Sequence, residues 1–202
     1  MIIKTFESKK NNVSLTDEGI VVKKFKNSLS CDTEEQALLC LDGNHAPKLI
    51  SRKDNTLFIE YVEGTLLVDE YINIRKTAAE KLAAALARAV KDIYAATGKI
   101  TFDENFRNYI VKNNEIIRVD FEETTNGTPE SWCAKLFAFA TLYDAPNASK
   151  LAFMLTLANG LGANGEKLCG EYKSELEFLA ERWKVPFPTQ LFESCVKQLR
   201  KP

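Results

Sequence analysis

Phe102-Asp103-Glu104-Asn105-Phe106-Arg107-Asn108-Tyr109-Ile110-Val111, followed by Ile116-Ile117-Arg118-Val119-Asp120-Phe121-Glu122-Glu123, is the stretch on which the reading of this chain turns. Two β-branched, apolar runs, 108–111 and 116–120, flank the turn residues Asn113 and Asn114, which predicts a β-hairpin. Asn108 opens one strand and Asp120 closes the other, so the hairpin carries two hard oxygen donors of the kind magnesium takes. A three-residue loop at 113–115 pairs them directly on one face, with Cβ atoms about 5 Å apart. A two-residue loop puts them on opposite faces. The plainer use of the same residues is structural, with Asp103 capping a turn and Asp120 ending a surface strand.

Upstream of this stretch the chain reads first as strands and then as helix. Segments 2–6, 13–15, 20–25 and 56–61 are short β-branched or aromatic runs with turn residues between the first three. One helix interrupts them at about 33–41, started by Asp32 and Glu35 as a capping box and stopped by Asp42-Gly43. After Gly64, residues Ala78, Leu82, Leu86, Val90, Ile93 and Tyr94 fall on one face of a long helix ending at Gly98. Downstream of the hairpin, helical patterns cover 131–143, 148–159, 166–183 and 189–199. The predicted fold class is α+β and two-lobed: a β-rich lobe with one helix over 1–63, then a mostly helical lobe over 64–202.

Composition narrows the function classes. With 45% hydrophobic and 27% charged residues the chain can bury an ordinary core. Its net charge of −1 comes from interspersed acids and bases, which gives no strong nucleic-acid signal. Met1 to Phe6 is charged too soon for a signal peptide, and the apolar run 151–158 falls far short of the roughly 20 residues of a spanning helix. The expectation is therefore cytoplasmic, with no membrane partner. Five scattered cysteines without C-x-x-C spacing read as reduced thiols, and a single histidine, His45, excludes histidine-rich metal sites.

The order of parts and the motif spacing resemble the protein-kinase-like phosphotransferases, choline kinases and their relatives more than ordinary protein kinases. Asp103-x-x-x-x-Asn108 has the spacing of the catalytic loop H-R-D-x-x-x-x-N, and Asp120-Phe121-Glu122 stands where D-F-G does. The resemblance implies ATP and magnesium: Asn108 and Asp120 as metal ligands, and Asp103 as the group that orients or deprotonates an acceptor hydroxyl. Ile20-Val21-Val22-Lys23-Lys24-Phe25 resembles V-A-I-K, where Phe25 selects Lys23 over Lys24. Strand alternation sends those two lysines to opposite faces. The partner of Lys23 is then Glu34 or Glu35. Glu34 is favoured, because Leu38 and Leu41 share its face and Glu35 has the capping box to serve. The main chain of Glu60 and Val62 would meet adenine, and Arg107 would meet an acidic acceptor or the migrating phosphoryl group. Two departures stand out. The turn at 8–12 has no glycine, leaving only Lys9 or Lys10 to cover phosphates, and Thr101 replaces the family's histidine. The seven residues between Phe121 and Pro129 are too few for a peptide-docking segment, which favours an unidentified small-molecule hydroxyl acceptor or an atypical protein substrate. The alternative is a catalytically inactive, nucleotide-binding scaffold.

Overall fold

The computed structural model describes residues 1–6, 8 and 10–201. Its first part is a five-stranded antiparallel sheet of β1 (Ile2–Phe6), β2 (Asn12–Thr16), β3 (Ile20–Lys24), β4 (Leu49–Lys53) and β5 (Thr56–Glu60), in the order β1-β2-β3-β5-β4. The central strands β3 and β5 pair in unbroken register from Ile20↔Glu60 to Lys24↔Thr56. β4 was not foreseen. It is an edge strand with four of five residues exposed, so it lacks the apolar alternation that marks a half-buried strand.

Helix α1 (Ser28–Leu41) starts five residues earlier than the sequence suggests. Its cap is Asn27, whose side chain accepts from the Leu29 N–H, and the expected Asp32/Glu35 capping box does not form. Those two acids instead both bind Arg52 of β4, at 2.7 Å and 2.5 Å, and so tie the helix to the sheet edge. The stop is as expected, with Asp42 left-handed and its N–H on the Leu38 carbonyl.

The chain then passes through β6 (Thr65–Leu66) and α2 (Leu67–Tyr71) into α3 (Lys76–Thr97), which ends at a left-handed Gly98. The packed stripe of α3 runs Ala79, Ala83, Leu86, Val90 and Ile93; Ala78, expected on it, is exposed. Short β7 (Ile100–Thr101) precedes the hairpin of β8 (Tyr109–Lys112) and β9 (Glu115–Arg118). Beyond it lie β10 (Thr124–Thr125), α4 (Pro129–Leu142), α5 (Asn147–Leu161), α6 (Gly165–Trp183) and α7 (Thr189–Leu199). Among the described residues no helix is long and apolar enough to cross a membrane. All five cysteines are unpaired.

One apolar core runs from Phe25, Leu38 and Leu57 in the strand-rich part to Leu86, Phe106 and Phe153 in the helical part. Trp132 is fully buried, and Trp183 packs edge-on against Phe139 and Tyr143. Gly64 sits at the junction of the two parts, where β6 pairs with β8. A Cβ there would stand 2.5 Å from the Val111 carbonyl oxygen and 2.5 Å from an Ile110 methyl. Gly64→Ala should therefore cost about 1–3 kcal/mol by overpacking, read as a lower denaturation midpoint. An unchanged midpoint would show that β8 can give way at this crossing.

Candidate functional site

Lys23 lies in the middle of the sheet, opposite Val13 on one side and Leu57 on the other, and its side chain turns inward while Lys24 is exposed. Its ammonium stands 2.6 Å from Glu34 Oε2, 2.9 Å from Asp120 Oδ1 and 3.6 Å from Glu122 Oε2. Glu34 is fully buried on α1, whereas Glu35 faces Arg52. Burial works against the charge on Lys23, but the three carboxylates outweigh it and raise its pKa above the ordinary value. Burial also pushes Glu34 up to about 7, aided by Asp120 and Glu122 and opposed by Lys23. Burial alone would raise Asp120 as well; Lys23 and Arg118 hold it below the usual carboxylate range. One ammonium faces three carboxylates, so the cluster carries surplus negative charge suited to a second cation.

The turn 103–108 is built on two side chains that the sequence analysis did not single out. Arg118 is 2% exposed and donates from Nε to the Asp120 carbonyl at 2.8 Å and from Nη2 to the Asp103 carbonyl at 2.9 Å. Its Nη1 reaches Glu104 Oε2 at 3.1 Å. Glu104, fully buried, also accepts from the hydroxyls of Thr101 and Tyr109. Burial raises its pKa against the pull of Arg118. Asn108 Nδ2 adds a second donor to the Asp103 carbonyl, at 3.1 Å, and the Asn105 N–H donates to Asp103 Oδ1 at 3.2 Å. Arg118 was detectable in principle: period-two alternation places it on the same strand face as buried Ile116.

The hairpin departs from the three-residue loop considered above. Asn113 and Asn114 form a two-residue turn, both with positive φ, and Tyr109 pairs with Arg118. Asn108 and Asp120 nevertheless line the same space, because both lie outside the two strands, although the Asn108 carbonyl still accepts from the Val119 N–H at 2.9 Å. Asn108 ends a 3-10 turn over Phe106–Asn108 and Asp120 lies past the end of β9, so strand alternation does not govern their directions.

Two clefts meet at these residues. One, of about 470 Å³, has apolar walls including Val13, Val21, Ile59, Val62 and Ile110, with Lys23 at its polar end. The Glu60 N–H is taken by the Lys48 carbonyl at 2.9 Å; among the described residues the Val62 N–H has no hydrogen-bond partner. The other cleft, of about 660 Å³, contains Asp103 and Arg107. Asn108, Asp120, Glu122 and Arg107 line both. The hard oxygen donors at the junction fit a divalent cation: the Asn108 amide is anchored through its nitrogen, and Glu34, Asp120 and Glu122 offer oxygens within 4.8 Å of one another. The glycine-free turn between β1 and β2 reaches the same junction. Lys10 pairs with Glu123 and lies 3.6 Å from Glu122, and nearly buried Asn11 donates to Glu122. Lys9 lies outside the described residues.

No family model matches the chain, and no curated protein matches its sequence. Its structure is similar to the gentamicin complex of APH(2")-IIa, with a TM-score of 0.64 and 12% identity, covering 100% of this chain and 92% of that one. It is similar to the ADP-bound aminoglycoside phosphotransferase APH(2'')-Ib at a TM-score of 0.62 and 12% identity, over 99% and 93%. WbdD matches at a TM-score of 0.61 and 16% identity over 98% of this chain and 50% of that chain. The chain has the two-lobed fold of the protein-kinase-like phosphotransferases.

Removing Arg118 while Glu104 stays buried leaves an uncompensated carboxylate. Arg118→Met should cost about 3–5 kcal/mol, and Arg118→Met/Glu104→Met should regain most of it. Denaturant titration of the three proteins measures this; a single-variant cost under about 1 kcal/mol would show that the guanidinium does not hold the turn.

Proposed function

We propose that this chain binds ATP with magnesium and transfers the γ-phosphoryl group to a hydroxyl of a small molecule. The observation that carries the reading is the junction of two clefts at Asn108 and Asp120, with Lys23 in one and Asp103 in the other. The solved structures with this fold include complexes described with ADP, GDP, gentamicin and kanamycin, which supports a nucleotide in one cleft and a small acceptor in the other.

In this reading the apolar cleft takes adenine, with the free Val62 N–H and the Glu60 carbonyl offered to its edge. Lys23, oriented by Glu34, holds the α and β phosphates. Asn108 and Asp120 would hold magnesium, which would supply charge neutralisation for the phosphate groups. Asp103 accepts the proton of the acceptor hydroxyl as its oxygen bonds to the γ-phosphorus. The bond between that phosphorus and the β–γ bridging oxygen breaks, and ADP leaves with the electron pair. Arg107, beside Asn108, faces the migrating group from the acceptor side. Arg118 touches no substrate; it sets the backbone from which Asp103 and Asp120 project.

One observation favours the second reading, a nucleotide-binding protein without transfer. The turn at 10–11 has no glycine and is fastened onto Glu122 and Glu123, where a flexible loop would otherwise cover phosphates.

Asp103→Asn should leave binding of ATP with magnesium nearly intact and lower turnover about 10²–10⁴-fold, whereas Asp120→Asn should impair both. Full turnover in Asp103→Asn would rule out its role, and binding without any turnover in the unaltered chain would favour the second reading. Excess chelator should abolish the melting shift produced by ATP, which at 100 times the dissociation constant corresponds to about 2.7 kcal/mol. Lys23→Ala should weaken ATP binding far more than Lys24→Ala; equal effects would mean that neither lysine meets phosphate.

A further inference from the structure

The cleft beside Asp103 has a wall that the nucleotide does not need. Helix α6 presents Glu175, Phe178, Leu179 and Arg182 to it, spaced i, i+3, i+4 and i+7 and therefore on one helical face. Phe102 and Arg107 line the same cleft. Phe178 is 53% exposed and Phe102 51% exposed, so two half-exposed aromatic rings line a concave site.

The charges of this cleft are not balanced at random. Lys135 is engaged by Glu175 at 2.8 Å and lies 4.9 Å above the Phe102 ring. Lys10 is engaged by Glu123, and Asp120 and Glu122 belong to the Lys23 cluster. Among the described residues Arg107 and Arg182 have no carboxylate within 4.0 Å, while Asp103, Asp120 and Glu122 also line the cleft, the last two sharing Lys23 with Glu34. A guanidinium fork matches a carboxylate or a phosphate oxygen pair, and it repels an ammonium group.

We propose that the acceptor is a small anionic molecule with a hydroxyl and an apolar ring or chain. Its carboxylate or phosphate group binds Arg107 and Arg182, its apolar face lies against Phe102 and Phe178, and its hydroxyl meets Asp103. This rests on the phosphotransfer reading for the role of Asp103, while the anionic site itself rests on the cleft. A volume of about 660 Å³ suits a molecule of metabolite size.

The test uses three probes that share a benzyl alcohol and carry an anionic, a neutral or a cationic meta substituent: meta-hydroxymethyl benzoate, meta-methylbenzyl alcohol and meta-aminomethylbenzyl alcohol. Their binding to the full chain is measured by ligand-observed NMR, with and without a non-hydrolysable ATP analogue and magnesium. The benzoate should bind about tenfold more tightly than the neutral alcohol, from two partly exposed ion pairs, and the amine most weakly. Arg107→Gln/Arg182→Gln should erase the order while keeping the melting temperature. The proposal is overturned if the amine binds as well as the benzoate, if the order survives the double substitution, or if none of the three binds at millimolar concentration. Should the nucleotide analogue fail to bind while the benzoate preference persists, the phosphotransfer reading falls and the anionic site stands. Analogue binding without any anion preference is the reverse result. A meta-hydroxymethyl phenyl phosphate arm separates carboxylate from phosphate acceptors, the tighter of the two naming the source.

Discussion

A buried guanidinium fixes the geometry on which the site depends. Arg118 lies where an apolar side chain would ordinarily fill the core, and its donors go to the carbonyls of Asp103 and Asp120 and to Glu104. These three bonds start from the three nitrogens of one planar guanidinium. A lysine could not replace it, since a single ammonium cannot hold two carbonyls of separate segments in a fixed relation. Glu104 makes the arrangement tolerable by neutralising the charge, and Thr101 and Tyr109 complete the carboxylate's hydrogen bonding. Such a network contributes little net stability compared with apolar packing of the same volume. What it contributes is position: the backbone beneath two acidic side chains from different segments becomes one unit.

The Lys23 cluster is a different kind of device. It joins the consecutive elements β3 and α1 to the distant segment after β9, and it holds more negative than positive charge. Burial is the main cause of the raised pKa of Glu34, and Asp120 and Glu122 add to it against the pull of Lys23. A cation near Asp120 would offset the surplus negative charge of the cluster.

Much of the architecture was legible because local signals agreed with the final packing. The strands of the first part, the stop at Asp42-Gly43, the long helix ending at Gly98 and the four later helices all carried their own period and punctuation. Elsewhere tertiary contacts decided between equal local options. Asn27 and Asp32 are both good helix caps; Arg52, far along the chain, recruits Asp32 and Glu35 to another task and leaves Asn27 as the start. β4 was illegible because an exposed, charged edge strand shows no alternation. In the site, Lys23 and Glu34 meet, and Asn108 and Asp120 share a cleft, though through irregular backbone rather than the cross-strand pairing considered. The face of α6 was invisible as a site wall, since periodicity reveals that a helix has a face and not what that face looks upon.

The turn between β1 and β2 is fastened at the mouth of the cleft by two contacts of unequal kind. Asn11 is nearly buried against Glu122, whereas Lys10 reaches Glu123 in the open, with more than half of its side chain exposed. An exposed pair is worth about 0–1 kcal/mol and weakens as mobile ions screen it. The buried cluster around Lys23 is shielded from those ions. Ionic strength therefore acts on the mouth of the cleft and leaves its floor alone. Concentrated salt loosens access to the site without disturbing the arrangement waiting inside it.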